Sequence, residues 1–217
     1  PNSSGSAVAL AVGPDGRLIS LVLSSGDVHR WPADLDTNPA PAAPDLIKNL
    51  GAGAAGLTLG SDGKLAFVLG PGNQIQALDL AAATVTPITV LPAAAKPSSM
   101  ALVSSTAPDI LAVADQTNLF LHLVQLPPSA TLIGSVKLDH PPVGLVAAAG
   151  GHWAYILERD TDSFIQSVSL DALVQHLAAT PGAAFKIGDD SRQIVMTASG
   201  KRLYIPYVDD IAQPAAG

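Results

Sequence analysis

The stretch GSDGKLAFVLGPGNQIQALDL, Gly60 to Leu80, decides the fold. It opens on a turn, Gly60-Ser61-Asp62-Gly63, and continues into an apolar strand, Leu65 to Leu69. A second turn, Gly70-Pro71-Gly72-Asn73, leads into the alternating strand Gln74 to Leu80. Glycine and Asx residues supply the backbone conformations that tight hairpins require, and alternation marks a strand with two different faces. A small-residue strand, Gly56 to Leu59, precedes the stretch, and Val85 to Leu91 offers a fourth strand after it.

The same order recurs on either side. GPDGRLISLVLSSGDVHRW, Gly13 to Trp31, repeats it closely, with Val8 to Val12 before it and Leu46 to Leu50 after. A third copy runs from Met100 through Ile110 to Val113, Leu119 to Leu123 and Leu132 to Leu138. The fourth contains Val143 to Val146, Trp153 to Leu157, Phe164 to Val168 and Ala184 to Ile187, and the fifth Ile194 to Met196 and Leu203 to Tyr207. Aligned on Leu18, Leu65, Ile110, Trp153 and Leu203, the copies are spaced by 47, 45, 43 and 50 residues. A period of about 46 residues, with short strands and turn signals in each unit, marks β-propeller blades. The long last step is explained by a turn or two of helix near Ser169 to Leu177, where apolar residues fall at 170, 173, 174 and 177.

These copies place the blades at about 7–53, 54–98, 99–141 and 142–190, with a partial blade at 191–217 and a flexible segment at 1–6. Four and a half blades do not close a ring and leave open sheet edges. The expectation is therefore an all-β propeller array belonging to a larger ring of about seven blades. The remaining blades would come from the same polypeptide or from a partner chain.

Composition supports this reading. Of 217 residues, 48% are hydrophobic and only 13% charged, which excludes disorder. The 36 alanines suit closely packed inner strands, and Gly and Pro punctuate the hairpins. No apolar run approaches the ~18 residues of a membrane span. The net charge is −7 and the longest basic cluster is Lys201-Arg202, so nucleic acid is excluded as a partner. The absence of cysteine fits a periplasmic or secreted protein as well as a cytosolic one.

Lys64-Leu65-Ala66-Phe67-Val68, then Gly72 to Leu80 and Thr84-Val85-Thr86, resemble a blade of the YVTN or lactonase-like propeller family. Lys201 to Ile205 resembles the opening of another blade. In this arrangement the turns between second and third strands share one rim with the blade-to-blade connections. That rim carries Asp27, Asp115, Glu158, Asp160, Asp162, Asp209 and Asp210 on the turns, and Asp139, Asp189 and Asp190 on the connections. The opposite rim carries Arg17, Lys64, Lys201 and Arg202, so the two rims should differ in sign.

Clustered oxygen donors suit Ca2+ or Mg2+. The lactonase-like resemblance implies Asp115, Asn118, Asp160 and Asp209 as ligands, while the rim itself offers Asp27, Asp162, Asp189 and Asp210 as an acidic face for a partner. The competing reading is that these are solvated turn residues. None of the five histidines forms a zinc-type pair, and His29 and His122 are expected to flank the sheets. No Gly-x-Ser-x-Gly elbow occurs, and the glycine-rich Gly51 to Gly56 precedes a strand, not a phosphate-binding helix. Trp31, Trp153, Tyr155, Tyr204 and Tyr207 are expected to pack between blades. The leading expectation is a non-catalytic scaffold or protein-interaction module. The alternative is a lactonase-like enzyme or small-ligand sensor that uses a cation on the acidic rim.

Overall fold

Glycine and Asx turns close a series of antiparallel hairpins into four meandering sheets. The computed structural model describes residues 7–13, 15–22, 25–31, 43–70, 74–103, 109–126, 130–175, 178–188, 191, 193–197 and 199–206. The first sheet is β1 (Ala7–Val12), β2 (Leu18–Val22), β3 (Asp27–Arg30) and β4 (Asp45–Asn49). The second is β5 (Gly56–Leu59), β6 (Leu65–Gly70), β7 (Gln74–Asp79) and β8 (Val85–Ile88). The third is β9 (Pro97–Leu102), β10 (Ile110–Asp115), β11 (Phe120–Gln125) and β12 (Thr131–Lys137). The fourth is β13 (Pro142–Ala147), β14 (Trp153–Arg159), β15 (Ser163–Ser169) and β16 (Phe185–Gly188). A two-stranded ladder of β17 (Val195–Met196) and β18 (Leu203–Tyr204) begins a fifth unit. The architecture is a β-propeller array of four blades and part of another, as the repeat predicts.

The core lies between the sheets, because period-two alternation sends successive side chains to opposite neighbours. Ala66 and Val68 of β6 face the first sheet and pack with Ile19, Leu21 and Val28. Phe67 and Leu69 of the same strand face the third, against Leu111, Val113 and Val124. Ala112 and Ala114 of β10 then face the fourth, against Ala154, Ile156 and Val168. Burying a side chain such as Phe67, 1% exposed, stabilises the seam by about 2–3 kcal/mol. Outer strands are the polar ones: β4 and β16 contain no fully buried residue.

The predicted helical insertion is α1 (Leu170–Val174), and its buried Leu170 and Leu173 join the core between the third and fourth sheets. The aromatic expectation needs correction. Trp153 is 45% and Tyr204 52% exposed, Trp153 at the first residue of β14 and Tyr204 at the end of the two-stranded β17–β18 ladder. Tyr207 lies outside the described residues. No described helix is long and apolar enough to cross a membrane.

Candidate functional site

The upper rim is built where each second strand ends, and two backbone bonds show its repeat. Gln116 N donates to Lys96 O, and Arg159 N donates to Pro141 O. Asp115 and Glu158 therefore hold the same place in consecutive sheets. Both sit opposite the first residue of an inner strand, Pro97 and Pro142, and opposite an aromatic residue on the third strand, Phe120 and Phe164.

Asp115 is fully buried, and its carboxylate organises the turn. Oδ1 accepts from the N–H groups of Lys96 (2.9 Å), Thr117 (3.0 Å) and Asn118 (3.3 Å), and Oδ2 from Asn118 Nδ2 (2.7 Å). Burial pushes its pKa up, but the hydrogen bonds from Lys96, Asn118 and Thr117 outweigh that, and the net displacement is downward. His122 Nε2 lies 3.6 Å from Oδ2, and its Nδ1 is 2.7 Å from Ser135 Oγ. Burial pulls the His122 pKa down despite that carboxylate, so the ring is neutral at physiological pH.

His122 belongs to a repeated feature. His29, Gln76, His122 and Gln166 occupy equivalent third-strand positions, opposite Ser20, Val68, Val113 and Ile156. The expectation that His29 and His122 flank their sheets therefore extends to two glutamines. Gln166 ties the connection between the third and fourth sheets. Its Nε2 donates to Asp139 Oδ2 (2.7 Å) and Gly182 O (2.9 Å), while Asp139 N donates to Oε1 (3.4 Å).

Glu158 is fully buried like Asp115, yet neither carboxylate oxygen makes a well-formed hydrogen bond; the N–H groups of His140 and Asp139 only approach it. Burial, followed by the charge of Asp139, raises its pKa to about 7, with the N–H groups of His140 and Asp139 offsetting only part. Counting acids by loop type places Glu158 and Asp139 on one rim but gives no sign of this burial.

Of the other predicted ligands, Asp160 is exposed at the next turn and Asp209 lies outside the described residues. Asp115 and Asn118 come together, but as partners within one turn. Among the described residues no three His, Asp or Glu side chains are grouped so as to hold a metal ion.

The predicted acidic face is similarly divided. Asp27 accepts from Ser25 Oγ (2.5 Å) and Asn49 Nδ2 (2.6 Å), which hold its pKa below the ordinary value. Asp162 pairs with Lys186 Nζ at 2.8 Å. Asp189 and Asp210 lie outside the described residues. On the opposite rim Arg17 and Lys64 face their own acids, Asp15 at 3.6 Å and Asp62 at 4.0 Å, which blunts the expected contrast in sign.

A cavity of about 840 Å3 runs along the inner strands, lined by residues such as Met100, Leu102, Leu145, Ile194 and Met196. Among the described residues its titratable lining is His152 and Asp171. They meet at 3.0 Å across the gap between the β13–β14 turn and α1.

No family model matches the sequence, and no curated protein is significantly similar to it. Solved structures share the fold. A hydrazine synthase of Kuenenia stuttgartiensis matches with TM-score 0.75 and 12% identity, over 100% of this chain and 60% of that one. A streptogramin B lyase matches with TM-score 0.69 and 14% identity, over 94% and 63%. The Cps50 (Swd1) β-propeller domain of Myceliophteria thermophila matches with TM-score 0.66 and 14% identity, over 94% and 64%. The chain thus spans 60% to 64% of the length of these structures. At such identity the likeness concerns the fold alone.

Proposed function

We propose that this chain is a non-catalytic β-propeller module that serves as a scaffold within a larger protein or assembly, docking through the outward face of its first sheet. One observation carries the reading. In the second, third and fourth sheets the row facing the preceding sheet is buried: Ala66 and Val68, Leu111 and Val113, Ala154 and Ile156. In the first sheet the corresponding face leaves Leu10 61%, Val12 68% and Leu46 57% exposed. The face also differs in chemistry. Ser20 stands where the others have Val68, Val113 and Ile156, and its Oγ accepts from Trp31 Nε1 at 2.8 Å. Exposed aliphatic side chains beside an anchored tryptophan resemble a protein interface.

Sedimentation velocity over a concentration series tests this. The chain should associate through that face, and Leu10→Asp combined with Val12→Asp should leave it monomeric with an unchanged melting temperature. A wild-type chain that stays monomeric at every concentration, or a double variant that unfolds, would count against a docking face.

The cavity favours a second reading, a small-ligand sensor or lactonase-like enzyme, with His152 and Asp171 as its polar end. Loss of a simple lactone on incubation, abolished by His152→Ala, would support it over the scaffold reading.

A further inference from the structure

We propose that Glu158 is a proton-operated latch on the seam between the third and fourth sheets. Protonated, it fits beside the Asp139–Pro141 connection; ionised, it opposes Asp139 and loosens that connection.

The argument rests on the comparison with Asp115. The two acids occupy equivalent positions, and Asp115 is kept ionised by an N–H donated from the connection, that of Lys96. At the equivalent place the fourth sheet has Pro141, which has no N–H to give. The turn that follows is also different. Four residues lie between Asp115 and its cross-strand partner Phe120, and five between Glu158 and Phe164. Asp115 receives N–H groups from Thr117 and Asn118 in its turn, whereas neither Glu158 oxygen makes a well-formed hydrogen bond, the approach of the His140 and Asp139 N–H groups being too weak to offset burial. An ionised carboxylate buried without well-formed hydrogen bonds is unfavourable, and holding a proton relieves that penalty.

The neighbouring groups do not supply a countercharge. The connection contributes Asp139 and His140, and His140 stacks on Phe164 with ring centres 4.2 Å apart. Pro142 of β13 and Phe164 of β15 lie opposite Glu158 and carry no charge. Gln166 is committed to Asp139 and Gly182. Asp162 and Lys186 pair with each other, Ser191 N donates to Ser163 Oγ, and Arg159 has interactions of its own.

The folded chain holds this proton up to about pH 7, against an ordinary glutamate value of 4.5. The stability it confers is therefore fully present below pH 4.5 and is lost as the pH rises through about 7. The grip of Gln166 on Asp139 is the contact placed to yield.

Carboxyl carbon NMR on the full chain should show Glu158 titrating near pH 7. Amide protection at Asp139 and Arg159 should fall by about tenfold between roughly pH 5.5 and 8. Glu158→Gln, which keeps the shape without the charge, should make that protection independent of pH. Pro141→Ala, which restores a donor, should move the Glu158 midpoint down toward the ordinary range. Titration of Glu158 in the ordinary range, an unchanged pH profile in Glu158→Gln, or an unmoved midpoint in Pro141→Ala would each overturn the proposal.

Discussion

Asp115 shows how one carboxylate can do the work of a turn. Its removal in Asp115→Ala leaves the N–H groups of Lys96, Thr117 and Asn118 without their acceptor in a part-buried turn. The expected loss is about 1–3 kcal/mol by urea denaturation, from several part-buried donors losing their acceptor. Its pKa lies below the ordinary 3.8, so its stabilisation is present above that pH and is lost as the pH falls further. The acid limb of the wild-type stability profile should therefore flatten in Asp115→Asn. The sequence identifies Asp115 as a loop acid, and the lactonase-like resemblance suggests a cation ligand. One of its donors, the Lys96 N–H, belongs to the connection 19 residues earlier, a partnership that no local spacing announces. The contrast between Lys96-Pro97 and Pro141-Pro142 is the trace of it that a sequence comparison of blades could find.

Elements meet closely at the rims, and glycine is required where two backbones touch. Gly26 has φ +73°, and a Cβ placed on it would lie 1.9 Å from Gly51 O. Gly16 has a similar φ, +77°, but open space around it. Gly16→Ala should therefore cost about 1 kcal/mol, the left-handed backbone penalty alone. Gly26→Ala should cost about 3 kcal/mol or more, because the connection from β4 to β5 must also move. Thermal melts of the two variants compare these effects, and equal losses would show that the contact with Gly51 is not tight. Both glycines are legible as turn residues in the repeat. The approach of Gly51 is not, because it depends on how the first sheet's end returns past its own hairpin.

At the scale of the molecule, each sheet packs mainly on its neighbours, so stability is distributed along the array. The first sheet has an exposed outer face, while the third is covered on both sides. The chain has two tryptophans, Trp31 and Trp153, which report on the first and fourth sheets. Trp153→Phe leaves Trp31 as the probe, and Trp31→Phe leaves Trp153. The Trp31 transition should come at lower urea than the Trp153 transition, since the first sheet lacks a cover. Coincident transitions would show that the four sheets unfold as one unit.

The sheets are written locally in the chain. Strand alternation, turn residues and a period of about 46 residues are local or repeated signals, and all four meanders follow them. The short helix is written locally too, in the apolar spacing that buries Leu170 and Leu173. Only the tertiary structure decided which faces remain open, so Leu10 is exposed while Val68 is buried. It likewise decided that Asp115 is held by well-formed hydrogen bonds while Glu158 is not. The physical reason is common to both: burial and hydrogen-bond satisfaction belong to what lies across a seam, and alternation along one strand carries no information about the residue that will stand there.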